Sequence, residues 1–164
     1  MADMARAVAA LLLSLVLIGC DQPPPPPPGT VRLPTEDFSI GPPARYRTPG
    51  VHDALRESHG VWVCSDERMI VVLSAACPHD GRGTYFDPMT VQFRCSRCSA
   101  RFSDMGLPLS GRPDNLALVR LRLSLHGERG DPEAALWVNP RVTYRFEKNE
   151  WSSRFSLWMF EPVE

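Results

Sequence analysis

Residues 61–73 read VWVCSDERMIVVL, an apolar run at Val61, Trp62 and Val63, a polar break at Ser65-Asp66-Glu67, and a second apolar run over 69–73. Each run is too short for a stable helix. Valine and isoleucine, branched at Cβ, fit an extended pleated backbone better than a helical turn. The stretch therefore predicts two short strands joined by a turn. Cys64, inside the first run, reads as a buried thiol.

Working outward from about Glu36, the period stays near two. Residues 90–94 alternate, and Leu116, Leu118, Leu121, Leu123 and Leu125 are interleaved with Arg120, Arg122 and Ser124, mostly one apolar and one wet face. Val142, Tyr144 and Phe146 oppose Thr143, Arg145 and Glu147, and residues 155–160 become apolar on both faces, as a strand buried on both sides would be. Turn chemistry separates these runs at Gly81-Arg82-Gly83, Gly106, Gly111-Arg112-Pro113-Asp114, Asp131-Pro132 and Asn139-Pro140. One short helical piece is predicted near residues 51–58. The expected class is all-β, a small antiparallel sandwich or barrel.

Two clusters carry the chemistry. Cys77-Pro78-His79-Asp80-Gly81 and Cys95-Ser96-Arg97-Cys98-Ser99-Ala100-Arg101-Phe102 each offer two soft or borderline ligands on a tight loop after a strand. Fifteen residues separate His79 from Cys95, enough for a hairpin that brings the two loops face to face. Thiolate and imidazole at these spacings suit zinc or an iron–sulfur cluster. The same four residues make a Cys3His tetrahedral zinc site. In an oxidising compartment Cys95 and Cys98 are also close enough in sequence to pair as a disulfide, with metal lost.

Over residues 60–126 the sequence resembles the Rieske [2Fe–2S] domains, which carry C-x-H, a similar interval, then C-x-x-H and a small pair before an aromatic. The resemblance implies a Rieske-like sandwich with two metal-binding loops, and a cluster held by Cys77, His79, Cys95 and Cys98. Cys77 and Cys95 match the cysteines of the buried iron, and His79 the first histidine of the outer iron. Cys98 stands where the family has its second histidine. An anionic thiolate in place of a neutral imidazole favours the ferric form and a lower potential. Arg82 and Arg97 replace a loop-pinning cysteine pair, Ser99 a glycine, and Ala100 a serine that bonds a bridging sulfide. What this implies is one-electron transfer, without catalysis by the chain alone, to a redox partner whose identity is open. A zinc-stapled binding module, or a Rieske fold that has lost its metal, is the alternative.

The first residues read as an address. Residues 7–19 (AVAALLLSLVLIG) form an apolar core too short to span a bilayer, ending in Leu17-Ile18-Gly19-Cys20, which resembles a bacterial lipobox. Cys20 is then the lipidated residue, anchoring the chain in a bacterial cell membrane and facing the periplasm or the exterior. Pro23 to Pro28 suit a stiff polyproline II spacer. The expected organisation is a signal peptide over 1–19, a proline-rich linker over 20–35 and the metal-binding domain over 36–164. The leader has Arg6 but no arginine pair, so it lacks the twin-arginine mark that usually accompanies export of a folded, cluster-loaded domain.

The 164 residues hold 18 basic against 19 acidic side chains, a net charge of −1, which argues against a nucleic-acid partner. Hydrophobic residues at 43% and charged residues at 23% are those of a globular domain. His52, His59 and His126 have no second ligand beside them in sequence and read as surface or turn residues. Trp137, Trp151 and Trp158 read as core or edge aromatics.

Overall fold

A computed structural model describes residues 29–110, 116–128 and 130–144, and the backbone of 157–158. The expected signal peptide, Cys20 and the proline run lie outside these residues. The architecture is all-β, with a curled antiparallel half-barrel and a second, smaller sheet. The large sheet contains β1 (Phe38–Gly41), β2 (Gly50–His52), β3 (Val61–Ser65), β4 (Met69–Ser74), β9 (Arg120–His126) and β10 (Ala135–Tyr144), in the order β1-β10-β9-β4-β3-β2, and β11 (Leu157–Trp158) also pairs with β4. The small sheet is β5 (Thr84–Asp87), β6 (Gln92–Cys95), β7 (Arg101–Ser103) and β8 (Pro108–Ser110), in sequence order. It is an excursion between β4 and β9, which are themselves neighbours in the large sheet.

The two runs that began the sequence reading form the centre of the molecule. Every residue of β3 and β4 is buried. Because side chains alternate across a strand, these two strands feed two cores. Val61, Val63, Ile70 and Val72 join Phe38, Ile40, Leu121, Leu136 and Val138 on one face. Trp62, Cys64, Val71 and Leu73 join Phe93, Phe102, Leu118, Cys77 and Cys95 on the other. The second core cements the small sheet to the large one, and two thiols of the metal motif belong to it. Asp66 closes the β3–β4 turn by accepting from the backbone N–H of Arg68 and Met69 through Oδ1, both at 2.7 Å.

Several expectations are adjusted. Asn139-Pro140 is not a turn between strands: it lies inside β10, at a register shift between Asn139 and Thr143. A bulge tolerates a proline, which has no N–H to donate, because the bulged residue is left out of the ladder. Residues 90–94 divide into a turn, through Val91, and strand β6. The helical piece shrinks to α1 (Arg56–His59), and residues 51 and 52 pair instead with β3. Arg120, placed on the wet face of its strand, is buried at 4% exposure and donates from Nη2 to the Met105 carbonyl oxygen at 3.2 Å. The strand expected over 155–160 is described only as the backbone of β11. Phe146, Trp151 and the turn at Gly111 to Asp114 lie outside the described residues.

Candidate metal centre

The first loop leaves the end of β4. Its base is fixed by Thr84, fully buried, whose hydroxyl donates to the Ala75 carbonyl oxygen at 2.9 Å and accepts from the Trp62 indole N–H at 3.1 Å. Above that base, the Cys77 N–H donates to the Arg82 carbonyl oxygen at 2.6 Å and the Gly81 N–H to the Cys77 carbonyl oxygen at 2.8 Å. Asp80 accepts from the Arg82 N–H at 3.1 Å. Residues 29–31 run alongside: the Val31 N–H donates to Gly81 at 3.0 Å and the Gly83 N–H to Gly29 at 3.2 Å. The loop is thus held on both sides by backbone bonds before any metal is considered.

The second loop follows β6. Cys95 closes that strand, residues 96–98 form a turn, and the Cys95 N–H donates to the Ala100 carbonyl oxygen at 3.0 Å. Ser99 has φ +57°, the left-handed region that glycine occupies most easily. That is the position where the family resemblance expects glycine. The turn after β7 approaches β4 closely at Gly106 (φ +80°), where a Cβ would stand 3.1 Å from both Leu118 and Leu73 side-chain atoms.

The hairpin β5–β6 brings the loops together as the fifteen-residue interval predicts. The Sγ atoms of Cys77, Cys95 and Cys98 all lie within 4.8 Å of one another, a group able to hold a metal ion. Cys77 and Cys98 are 3.5 Å apart. His79 turns Nδ1 toward two of the three, 3.4 Å from Cys77 and 3.8 Å from Cys98. Its ring stacks near Phe102, with centroids 6.4 Å apart. Cys77 and Cys95 are buried, whereas His79 and Cys98 are half-buried. All four described cysteines are free thiols, so Cys95 and Cys98 are not paired as a disulfide.

Burial, above all, pushes the Cys77 thiol up from its ordinary range; the His79 backbone N–H opposes this, and the sulfurs of Cys98 and Cys95 add to it. A thiolate here requires a compensating cation, because charge in a low-dielectric site is costly unless paired. A soft metal is such a cation, and its binding releases the thiol protons.

Of the other singled-out residues, Cys64 is a core thiol on β3, as expected. His52, half-buried, meets the Ser65 hydroxyl at 3.1 Å, and His59 packs on Phe38. His126 is exposed and stacks on the half-buried Trp137. Sequence reasoning missed Asp80, whose carboxylate oxygens stand 3.8 and 3.9 Å from Cys95 Sγ. An acid three residues after a ligating cysteine was the available signal. It also missed the Trp62–Thr84–Ala75 chain, for which no sequence signal exists, since those residues meet only through tertiary packing.

No family model matches the chain, and no curated protein and no solved structure matches it either.

Proposed function

We propose that this chain is a Rieske-like electron-transfer protein, with a [2Fe–2S] cluster held by Cys77, His79, Cys95 and Cys98. The observation that carries this reading is the division of the donors by exposure. Each loop contributes one buried cysteine, Cys77 or Cys95, and one half-buried ligand, His79 or Cys98. An inner and an outer pair are what a two-iron cluster with one buried and one accessible metal asks of its protein. Three sulfurs and one imidazole nitrogen also suit iron by softness.

When bound, such a cluster supplies one-electron chemistry at fixed geometry. The chain holds Cys77 and Cys95 inside its second core and so keeps water from that side. It orients the His79 ring against Phe102 with Nδ1 toward the sulfurs of Cys77 and Cys98. Attachment through lipid on Cys20, with the proline run as a spacer, would keep the domain beside a membrane. No helix among the described residues is long and apolar enough to cross one.

A second reading, a structural zinc site, is favoured by the short separations. Tetrahedral zinc with Zn–S near 2.3 Å and Zn–N near 2.0–2.1 Å implies donor–donor edges of about 3.8 and 3.5 Å. The separations of 3.5 Å between Cys77 and Cys98 and 3.4 Å between Cys77 and His79 lie close to those edges. Ligands on two different irons stand farther apart than that.

The test is metal and sulfide analysis with low-temperature EPR on the full chain, purified anaerobically in detergent. About two irons and two sulfides per chain, with a reduced-state signal altered in Cys98→His, support electron transfer. One zinc, no visible absorption and unfolding by chelator overturn it in favour of the stapled module.

A further inference from the structure

The metal loops leave unused a row of side chains on the outer face of the small sheet. Register places Tyr85 opposite Arg94, Arg94 opposite Arg101, and Arg101 opposite Ser110. Cross-strand partners share a face, so these four form one band across β5 to β8. Their inward neighbours, Phe93, Cys95 and Phe102, are buried. The band borders a groove of about 520 Å³ that also takes in Ser96 and Ser99 of the second loop and reaches Cys95. That volume lies within the range of small-molecule sites.

Two arginines directly opposite each other repel. Arg94 is compensated, because its Nη2 meets Asp87 Oδ2 at 3.0 Å and the Thr90 hydroxyl at 3.1 Å. Its Nε is buried with no hydrogen-bond partner. Among the described residues Arg101 meets the Ser110 hydroxyl, to which Nε donates at 2.6 Å, and no carboxylate pairs with it. Among the described residues no acidic side chain lines the groove, which otherwise presents serine hydroxyls and the Tyr85 phenol. The four large hydrophobics exposed among the described residues, Tyr85, Met89, Val91 and Leu109, all belong to this same sheet or its turn.

We propose that this groove binds a carboxylate, with Arg101 as its anchor. One uncompensated guanidinium matches one negative charge, and its planar fork matches a carboxylate's two oxygens. The hydroxyls of Ser96 and Ser99 supply further donors. The carboxylate is that of a small organic acid or of an acidic side chain. The site does not depend on which metal the neighbouring thiols hold.

The experiment uses the full chain with its metal in detergent. One arm is equilibrium dialysis with radiolabelled succinate, and the other is fluorescence anisotropy of a dye-labelled tetraglutamate peptide, both against chloride at equal ionic strength. Saturable binding is expected in at least one arm. It should fall at least tenfold in Arg101→Gln, recover in part in Arg101→Lys, and stay unchanged in Arg122→Gln, an exposed arginine of β9 outside the groove. Succinate binding that equals or exceeds peptide binding points to an organic acid; peptide binding at least tenfold tighter points to a partner's side chain. Binding that does not saturate in either arm, or that persists in Arg101→Gln, overturns the proposal. Arg101 is exposed, and metal content equal to wild type verifies that its variants fold.

Discussion

The two metal loops differ in how much of their shape the protein supplies. The first rests on the Thr84–Trp62–Ala75 bonds, on backbone bonds across its own turn, and on residues 29–31 alongside. The second has the Cys95–Ala100 backbone bond at its neck, a half-buried Cys98 at its turn, and a serine held at φ +57°. Local stability follows the density of buried contacts and satisfied backbone groups. The first loop is therefore a preformed half-site, and the second is the half that metal binding sets. If so, metal-ligand energy acts as folding energy mainly in residues 95–100.

The largest effect expected is at the ligands. Cys77 lies nearest both His79 and Cys98, so Cys77→Ala should abolish metal retention through gel filtration, whereas Cys98→Ala should leave a labile site that chelator strips quickly. Equal retention by both variants would break the distinction between the halves. Metal removal sharpens it further. In hydrogen exchange of the stripped protein, the amides of Cys77, Gly81 and Gly83 should stay protected while those of residues 96–99 exchange freely.

Thr84→Val tests the preformed half directly. It keeps the shape, removes the acceptor of the Trp62 indole N–H and leaves that buried donor unpaired, at a cost of about 1–3 kcal/mol. Denaturant unfolding with and without metal should show this loss in both states, because the bond belongs to the protein and not to the ligand set.

Cys64, the described cysteine outside the metal site, supplies a control for burial without metal. Burial pushes the Cys64 thiol far above its ordinary range; the nearby Asp104 carboxylate adds to this and Arg120 offsets a little. A pKa raised in the folded state means that stability is fully present below the unfolded value and declines as pH rises above it. Above about pH 8.5 the unfolded thiol ionises while the folded one does not, so stability should fall toward a limiting slope of about 1.4 kcal/mol per pH unit from this group. Cys64→Val should reduce the slope equally in metal-loaded and metal-free protein. A change confined to the metal-free form would mean that Cys64 is coupled to the site.

Fold and site were legible in the sequence to different depths. The strands β3 and β4 were readable because unbroken β-branched runs have few other uses, and the loop positions because ligand spacing is itself a local signal. The burial of Arg120 was not readable. Alternation marks a face but does not say that the face is covered by a second core, and here the small sheet covers it. Asn139-Pro140 misled for a related reason. Its composition is that of a turn, and only pairing with β9 on both sides of it makes it a bulge. The arginine band of the small sheet was present as alternation in β6 and β7, but the opposition of Arg94 and Arg101 needs a register that sequence alone does not fix.

The smallest effect decides most cleanly between a preformed and a metal-set second loop. Ser99 and Val91 are the non-glycine residues with positive φ among those described, at +57° and +52°. Left-handed backbone costs an L-residue about 1–2 kcal/mol, and glycine returns about 0.5–1 kcal/mol of that as extra unfolded-state freedom. Both Ser99→Gly and Val91→Gly should therefore stabilise by about 0.5 kcal/mol, somewhat more at Val91, where the side chain is branched at Cβ. Val91 sits in the β5–β6 turn, away from the ligands, so its gain should be the same with and without metal. Ser99 adjoins Cys98, and its strain is enforced only when the ligands are drawn together; its gain should accompany the metal-loaded state and raise metal affinity about twofold. Denaturant midpoints of both variants in both states measure this. An equal gain at Ser99 in metal-free protein would mean that the chain fixes the second loop as firmly as the first.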